Sequence, residues 1–252
     1  MATRPRPWSP ADAGHDPAGE ITLRLSGAQA WNPAAPNVKA ASQFGWDAKV
    51  VAAIEAPRGS DGVPNLVVAV AHPMVDPVMA FADSRDRPDV AAAMQGVAIV
   101  NLERRGGGWL AASGGFQARR LTGSTRCRLA GPGAGGAVIG LFGVSGGAPG
   151  STGRLLLIEG EATDWAPRLP GRIGAGHGWV VELTPTDPAA IPVKRTALGR
   201  GAVDVAATTA ADGRAVVYLA HPAGLARFIS AGPAANPERC RRHGWAAATG
   251  PG

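Results

Sequence analysis

The sequence predicts an all-β protein, a propeller or another antiparallel arrangement of short strands. Three observations carry that expectation. Short apolar or alternating runs recur along the 252-residue chain, each bounded by Gly, Pro, Asn or Asp. The 36 glycines and 22 prolines punctuate these runs without forming a repeat, so they read as turn residues and not as a low-complexity tract. No amphipathic stretch supports a helix longer than a few turns. At 25.5 kDa the chain can bury a sizeable core as one β domain.

In chain order, residues 1–20 are rich in Pro, Ala and Asp and are expected to form a loose tail. Residues 21–25 alternate and form a first candidate strand, and the Pro-broken stretch 31–43 reads as loop. Phe44-Gly45-Trp46-Asp47 leads into a strand over 49–54. Residues 65–71 are almost continuously apolar, as a strand buried on both faces should be, and they end in Ala71-His72-Pro73-Met74. Residues 76–94 are mixed and read as a connection, with a short helix over 90–94 introduced by Asp89. A hairpin follows, with strands over 96–103 and 109–112 about a Gly-rich turn.

Residues 117–122 and 125–129 are next expected to form a pair of strands, and 138–144 is apolar and Gly-dotted. The glycine cluster Gly133-Ala134-Gly135-Gly136 lacks the Lys-Ser/Thr and the helix of a phosphate-binding loop, so it reads as a flexible connection. Residues 161–176 read as loop. Four β-rich runs close the pattern, at 179–183, 193–198, 203–208 and 215–219; Gly199 is expected to end the second, and Asp212-Gly213 to turn a hairpin before the last. A strand over 228–230 completes a domain spanning 21–232, and 233–252 reads as an irregular tail.

The net charge is +6, the pI near 10.3, and all but three of the basic residues (Lys39, Lys49 and Lys194) are arginines. Guanidinium groups suit phosphate, but Arg104-Arg105, Arg119-Arg120 and Arg241-Arg242 are scattered and not interleaved with aromatics. A nucleic-acid partner is therefore not expected. Cys127 and Cys240 form neither a disulfide framework nor a zinc-ligand spacing. No apolar run reaches the length of a membrane span, and the N-terminus has no apolar core of the signal-peptide kind. Nothing in the sequence sets an oligomeric state.

Several segments together resemble the PhoX family of alkaline phosphatases. Trp179-Val180-Val181-Glu182-Leu183, Pro185 and Lys194-Arg195-Thr196-Ala197-Leu198-Gly199-Arg200 are similar to one family signature. Arg119-Arg120-Leu121-Thr122-Gly123-Ser124-Thr125 and Leu129-Ala130-Gly131-Pro132 are similar to a second. Gly146, Gly147, Gly153, Leu156 and Glu159 fall, without gaps, on a third. The likeness runs from about Phe44 to Ser230, and family members continue beyond it with further blades, so a partial propeller with an open ring is expected.

The resemblance implies a metal-dependent phosphomonoesterase using calcium and iron, typically exported from the cell. Its surviving site candidates are His72, Glu159 and Asp204 as metal ligands and Arg200 as a phosphate contact. The departures are as informative. Ala71 and Pro73 stand where the family has Asn and Glu beside the histidine. Ile158 replaces a cysteine linked to iron, and Gly160 replaces a second glutamate. Val203 stands where the family has another histidine, and Ala220-His221-Pro222 replaces Gly-Asp-Asp. Side chains without donor atoms cannot hold calcium or iron. The expectation is therefore a PhoX-like scaffold with impaired or lost catalysis that retains few metal ions or none; the alternative is a non-catalytic β-propeller binding or remnant domain.

Overall fold

The computed structural model describes residues 48–56, 65–80, 84–105, 107–112, 118–132, 135–150, 153–160 and 165–233. Residues 1–47, which include the expected N-terminal tail, the first candidate strand, the 31–43 loop and Phe44–Asp47, and residues 234–252 of the expected C-terminal tail lie outside the described residues; Pro233 ends a strand. The protein is all-β, as the turn-punctuated sequence requires, with its strands in three sheets.

The first sheet contains β1 (Lys49–Ala56), β2 (Asn65–His72), β3 (Gly96–Arg105), β4 (Gly108–Ala111) and β5 (Arg119–Leu121); β4 and β5 both pair with β3. Between β2 and β3 lie two short helices, α1 (Pro77–Ala80) and α2 (Pro88–Met94). Helix α2 starts on a proline with Asp89 in its first turn, and it buries Val90 to Ala93.

The second sheet runs in the order β7 (Ala137–Ile139), β6 (Arg126–Ala130), β11 (Val193–Arg200), β10 (Trp179–Leu183), β9 (Leu155–Glu159), β8 (Val144–Pro149). Its β6–β11 pair is parallel, which an antiparallel reading did not anticipate. The third sheet is a meander of β12 (Asp204–Thr209), β13 (Arg214–His221) and β14 (Gly224–Pro233). Asp212 and Gly213 do sit in the turn between β12 and β13. Strand β14 begins four residues earlier than its apolar core suggests. A two-residue turn at Pro222-Ala223 pairs Gly224 with His221, and residues 224–227 are exposed and so carry no burial pattern to read. Gly199 does not end β11: it sits at φ +82° inside a bulge, after which Arg200 pairs again with Trp179.

The three sheets stack. One face of the middle sheet presents Cys127, Leu155, Leu157, Val181 and Leu183 to Ile54, Val67, Ala69, Val97 and Ile99 of the first. Its other face presents Leu156, Ile158, Val180 and Leu198 to Val205, Val217, Leu219 and Phe228 of the third. This explains why Leu155–Ile158 of β9 is an unbroken apolar run: alternate side chains enter opposite cores, so every position is buried. Leu157, fully buried, should lose about 2–5 kcal/mol of stability as Leu157→Ala. Leu225→Ala, at a side chain 75% exposed, should stay within about 0.5 kcal/mol in the same urea titration.

Candidate functional site

The C-terminal end of β9 places the one charged residue of that strand inside the protein. Glu159 shares the parity of Leu155 and Leu157, and its side chain is fully buried. Burial of a lone carboxylate would cost several kcal/mol, so a cation and hydrogen-bond donors must be near. The sheet register supplies them. Leu157 pairs with Val181 and Val181 with Lys194, so Lys194 faces the same way two strands along. Its Nζ donates to Oε1 at 2.8 Å, to Oε2 at 2.9 Å and to the Gly176 carbonyl at 3.0 Å. The Phe142 amide donates to Oε1 at 3.0 Å and the Gly178 amide to Oε2 at 2.9 Å. All three ammonium hydrogens have acceptors, and both carboxylate oxygens meet only donors, the arrangement of an ionised pair. Burial pushes the Glu159 carboxyl up from its ordinary value, and Lys194 with the backbone amides pulls it back.

The segment from Ile139 to Gly143 joins this pair to other buried polar groups. Gln95, fully buried just after α2, donates to the Leu141 carbonyl at 2.8 Å and accepts from the Gly143 amide at 2.9 Å. His177 accepts at Nδ1 from the Gly174 amide, at 3.3 Å, which leaves Nε2 to donate to the Ile139 carbonyl at 3.1 Å. Its ring meets Phe142 edge-on at 5.4 Å. Burial first, then the Lys194 charge, lower the His177 pKa to about 4. Sequence reading missed Gln95, Lys194 and His177 as a group. The signal for Lys194 was available: a lone lysine in a β-branched run, thirty-five residues from a glutamate in an apolar one.

The candidates named from sequence form no metal-holding group among the described residues, although Arg200 and Glu159 meet opposite ends of the His177–Gly178 peptide unit. His72 ends β2 on the first sheet, Glu159 ends β9 on the second, and Asp204 begins β12 on the third. His72 is buried, and its Nε2 lies 2.8 Å from Nη1 of Arg120, so the ring accepts there and is neutral. Burial and the Arg120 charge hold its pKa well below the ordinary value. Asp204 is exposed and accepts from the Val205 amide at 2.8 Å. Arg200 donates from Nε to the His177 carbonyl at 2.7 Å and from Nη2 to the Gly174 carbonyl at 3.1 Å, closing that turn. Glu159, although it ends its strand, is fully buried.

These residues do not fit the calcium and iron that the resemblance implies. The Glu159 oxygens are taken by Lys194 and by backbone amides, and its neighbours Ile158 and Gly160 offer no side-chain donor. Among the described residues no group of three His, Cys, Asp or Glu side chains is placed to share an ion. Burial raises the Cys127 thiol to about 12, so it stays protonated and is a poor ligand.

Both depressed histidines predict acid sensitivity of a definite sign. The native state binds their protons more weakly than the unfolded chain does. The stability they contribute is thus complete above about pH 6.5 and is lost as pH falls, for His177 down to about 4. Urea midpoints measured from pH 7.5 to 4 should fall less steeply in His177→Phe than in the parent protein. Equal slopes would show that His177 carries no such linkage.

The family described as alkaline phosphatase PhoX matches residues 151–249 of this chain. Among solved structures, PhoX of Pseudomonas fluorescens in complex with vanadate, a transition-state analogue, is similar in fold, with a TM-score of 0.72 at 24% identity. The match covers 83% of this chain and 46% of that one, so this chain spans about half the length of the solved protein. No curated protein matches it.

Proposed function

We propose that this chain, a PhoX-family protein across residues 151–249 and PhoX-like in fold across 83% of its length, keeps the family's β scaffold with phosphomonoester hydrolysis impaired or lost. The single observation that carries this reading is the state of Glu159. A carboxylate that must hold a catalytic ion needs free lone pairs, and those of Glu159 are engaged by an ammonium and by amides. The other candidates point the same way: Arg200 is spent on carbonyls, His72 on Arg120, and Asp204 lies on another sheet. In this reading the three stacked sheets are successive blades of a propeller, and any ligand the site keeps is a phosphomonoester. Many arginines that could have marked a phosphate surface serve the fold instead. Arg119 grips the carbonyls of Thr184, Pro188 and Ala190, and Arg195 with Arg154 holds Glu182. The exposed side chains Val203, Tyr218 and Leu225, all on or beside the third sheet, favour the second reading, a binding domain without turnover.

The test is direct. Purified protein should hold less than one equivalent of calcium or iron and should hydrolyse p-nitrophenyl phosphate no faster than its Glu159→Gln variant. Stoichiometric metal together with turnover that disappears in Glu159→Gln would defeat the reading.

A further inference from the structure

We infer that Asn101 and Arg119 form a site for one small monovalent anion, such as chloride, at the rim of the core between the first and middle sheets. Each residue carries a buried donor that meets no acceptor among the described residues: Nδ2 of Asn101 and Nε of Arg119. Asn101 is only 4% exposed, so water does not reach its side chain from the surface. The register of the first sheet sets the two on one face. Arg119 of β5 pairs with Ile99, and Asn101 lies two residues further along β3, which makes them diagonal neighbours with backbones about 7–8 Å apart. That face is turned to the middle sheet. Ile99 and Val67, the β2 partner of Asn101, belong to the same core cluster as Leu155 and Leu183.

The two residues are otherwise fixed in place. The Asn101 carbonyl accepts from the Ala112 amide at 2.9 Å. The guanidinium of Arg119 donates from Nη1 to the carbonyls of Pro188 and Ala190 and from Nη2 to that of Thr184 at 3.1 Å. Carbonyls orient the fork but bring no negative charge. Burial lowers the Arg119 pKa from its ordinary value, and the charge of Asp187 opposes this. Asp187 is itself exposed, and its Oδ1 accepts from the Ala189 amide at 2.9 Å. A buried donor left unmet costs about 1–3 kcal/mol, so two on one face call for a shared acceptor. A cation would be repelled there. A water could accept from both, but its own two hydrogens would then need acceptors. A halide only accepts, and it supplies the charge that the carbonyls do not.

The test reads melting and diffraction, so it stands apart from the phosphatase reading. The parent protein should melt about 2–4 °C higher in sodium chloride than in sodium gluconate at equal ionic strength, with a saturating, one-site dependence on chloride. Asn101→Leu keeps the volume and removes the donor; it should lose that difference, as should Arg119→Met. Crystals grown in sodium bromide should show one anomalous bromide peak within hydrogen-bonding reach of both Asn101 Nδ2 and Arg119 Nε. Equal melting of the parent in the two salts would overturn the inference, as would a chloride response that Asn101→Leu retains. A water in the bromide position, or an Asn101 amide turned so that its oxygen accepts directly from Arg119, would do the same. If the variants do not fold, the bromide map of the parent decides.

Discussion

Lys194→Met should destabilise this protein by about 3–5 kcal/mol, because it leaves the Glu159 carboxylate buried without its counter-charge. Methionine fills much the same volume as the lysine stem, so the loss is electrostatic and is not that of a cavity. Glu159→Gln alone should also be costly, since it strands an ammonium in the same place and points a donor at donors. The two losses should not add. In the double variant no charge remains, and the glutamine oxygen can still accept from one of the amides at Phe142 or Gly178. A coupling of about 1–3 kcal/mol is expected from the double-mutant cycle in urea. Additivity within about 0.5 kcal/mol would mean that the two groups do not act as a pair.

Gly96→Ala should be comparably damaging through the backbone. Gly96 opens β3 directly after Gln95, pairs with His72, and has φ +109°, a conformation that residues with a Cβ rarely adopt. A Cβ there would lie 2.1 Å from the Leu121 carbonyl oxygen, a backbone atom of β5 that cannot swing aside. Strain and collision together should remove about 3 kcal/mol or more and loosen the β3–β5 pairing. Gly107→Ala is the control: φ is +83° but nothing stands within 4 Å of the added methyl. Its smaller loss isolates the conformational part. Equal losses in the two variants would remove the steric argument.

Much of the fold was legible because turn residues bracket its strands. Asn65–His72, Gly96–Arg105 and Trp179–Leu183 are largely buried runs that a sheet interior accommodates, and sequence reading placed strands at each. The family-like segments were legible for a packing reason as well. The Thr196 hydroxyl of one reaches the Pro132 carbonyl of another at 3.4 Å, so segments far apart in sequence share one contact. What could not be read was partner choice. Periodicity shows that a strand is buried but not that β6 lies parallel to β11. The site was half legible. Glu159 stood out as an acid ending an apolar run, yet its partner is set by register across β10, and register depends on long-range pairing that local sequence does not encode. Gln95 and His177 carried no pattern at all; only the path of Ile139 to Gly143 makes them neighbours.

The parallel seam between β6 and β11 constrains the order in which the chain can assemble. The hairpins β1–β2, β6–β7 and β12–β13–β14 join segments close in sequence and can zip early, whereas the other edge of β6 must wait for a partner more than sixty residues downstream. Until that partner arrives, Cys127 and the inward side of the central layer stay wet. The internal ammonium rides on the same late strand, so neutralisation of Glu159 and closure of the central layer are one kinetic event. Amide exchange should therefore report β9, β10 and β11 opening together, with the outer hairpins free to open on their own.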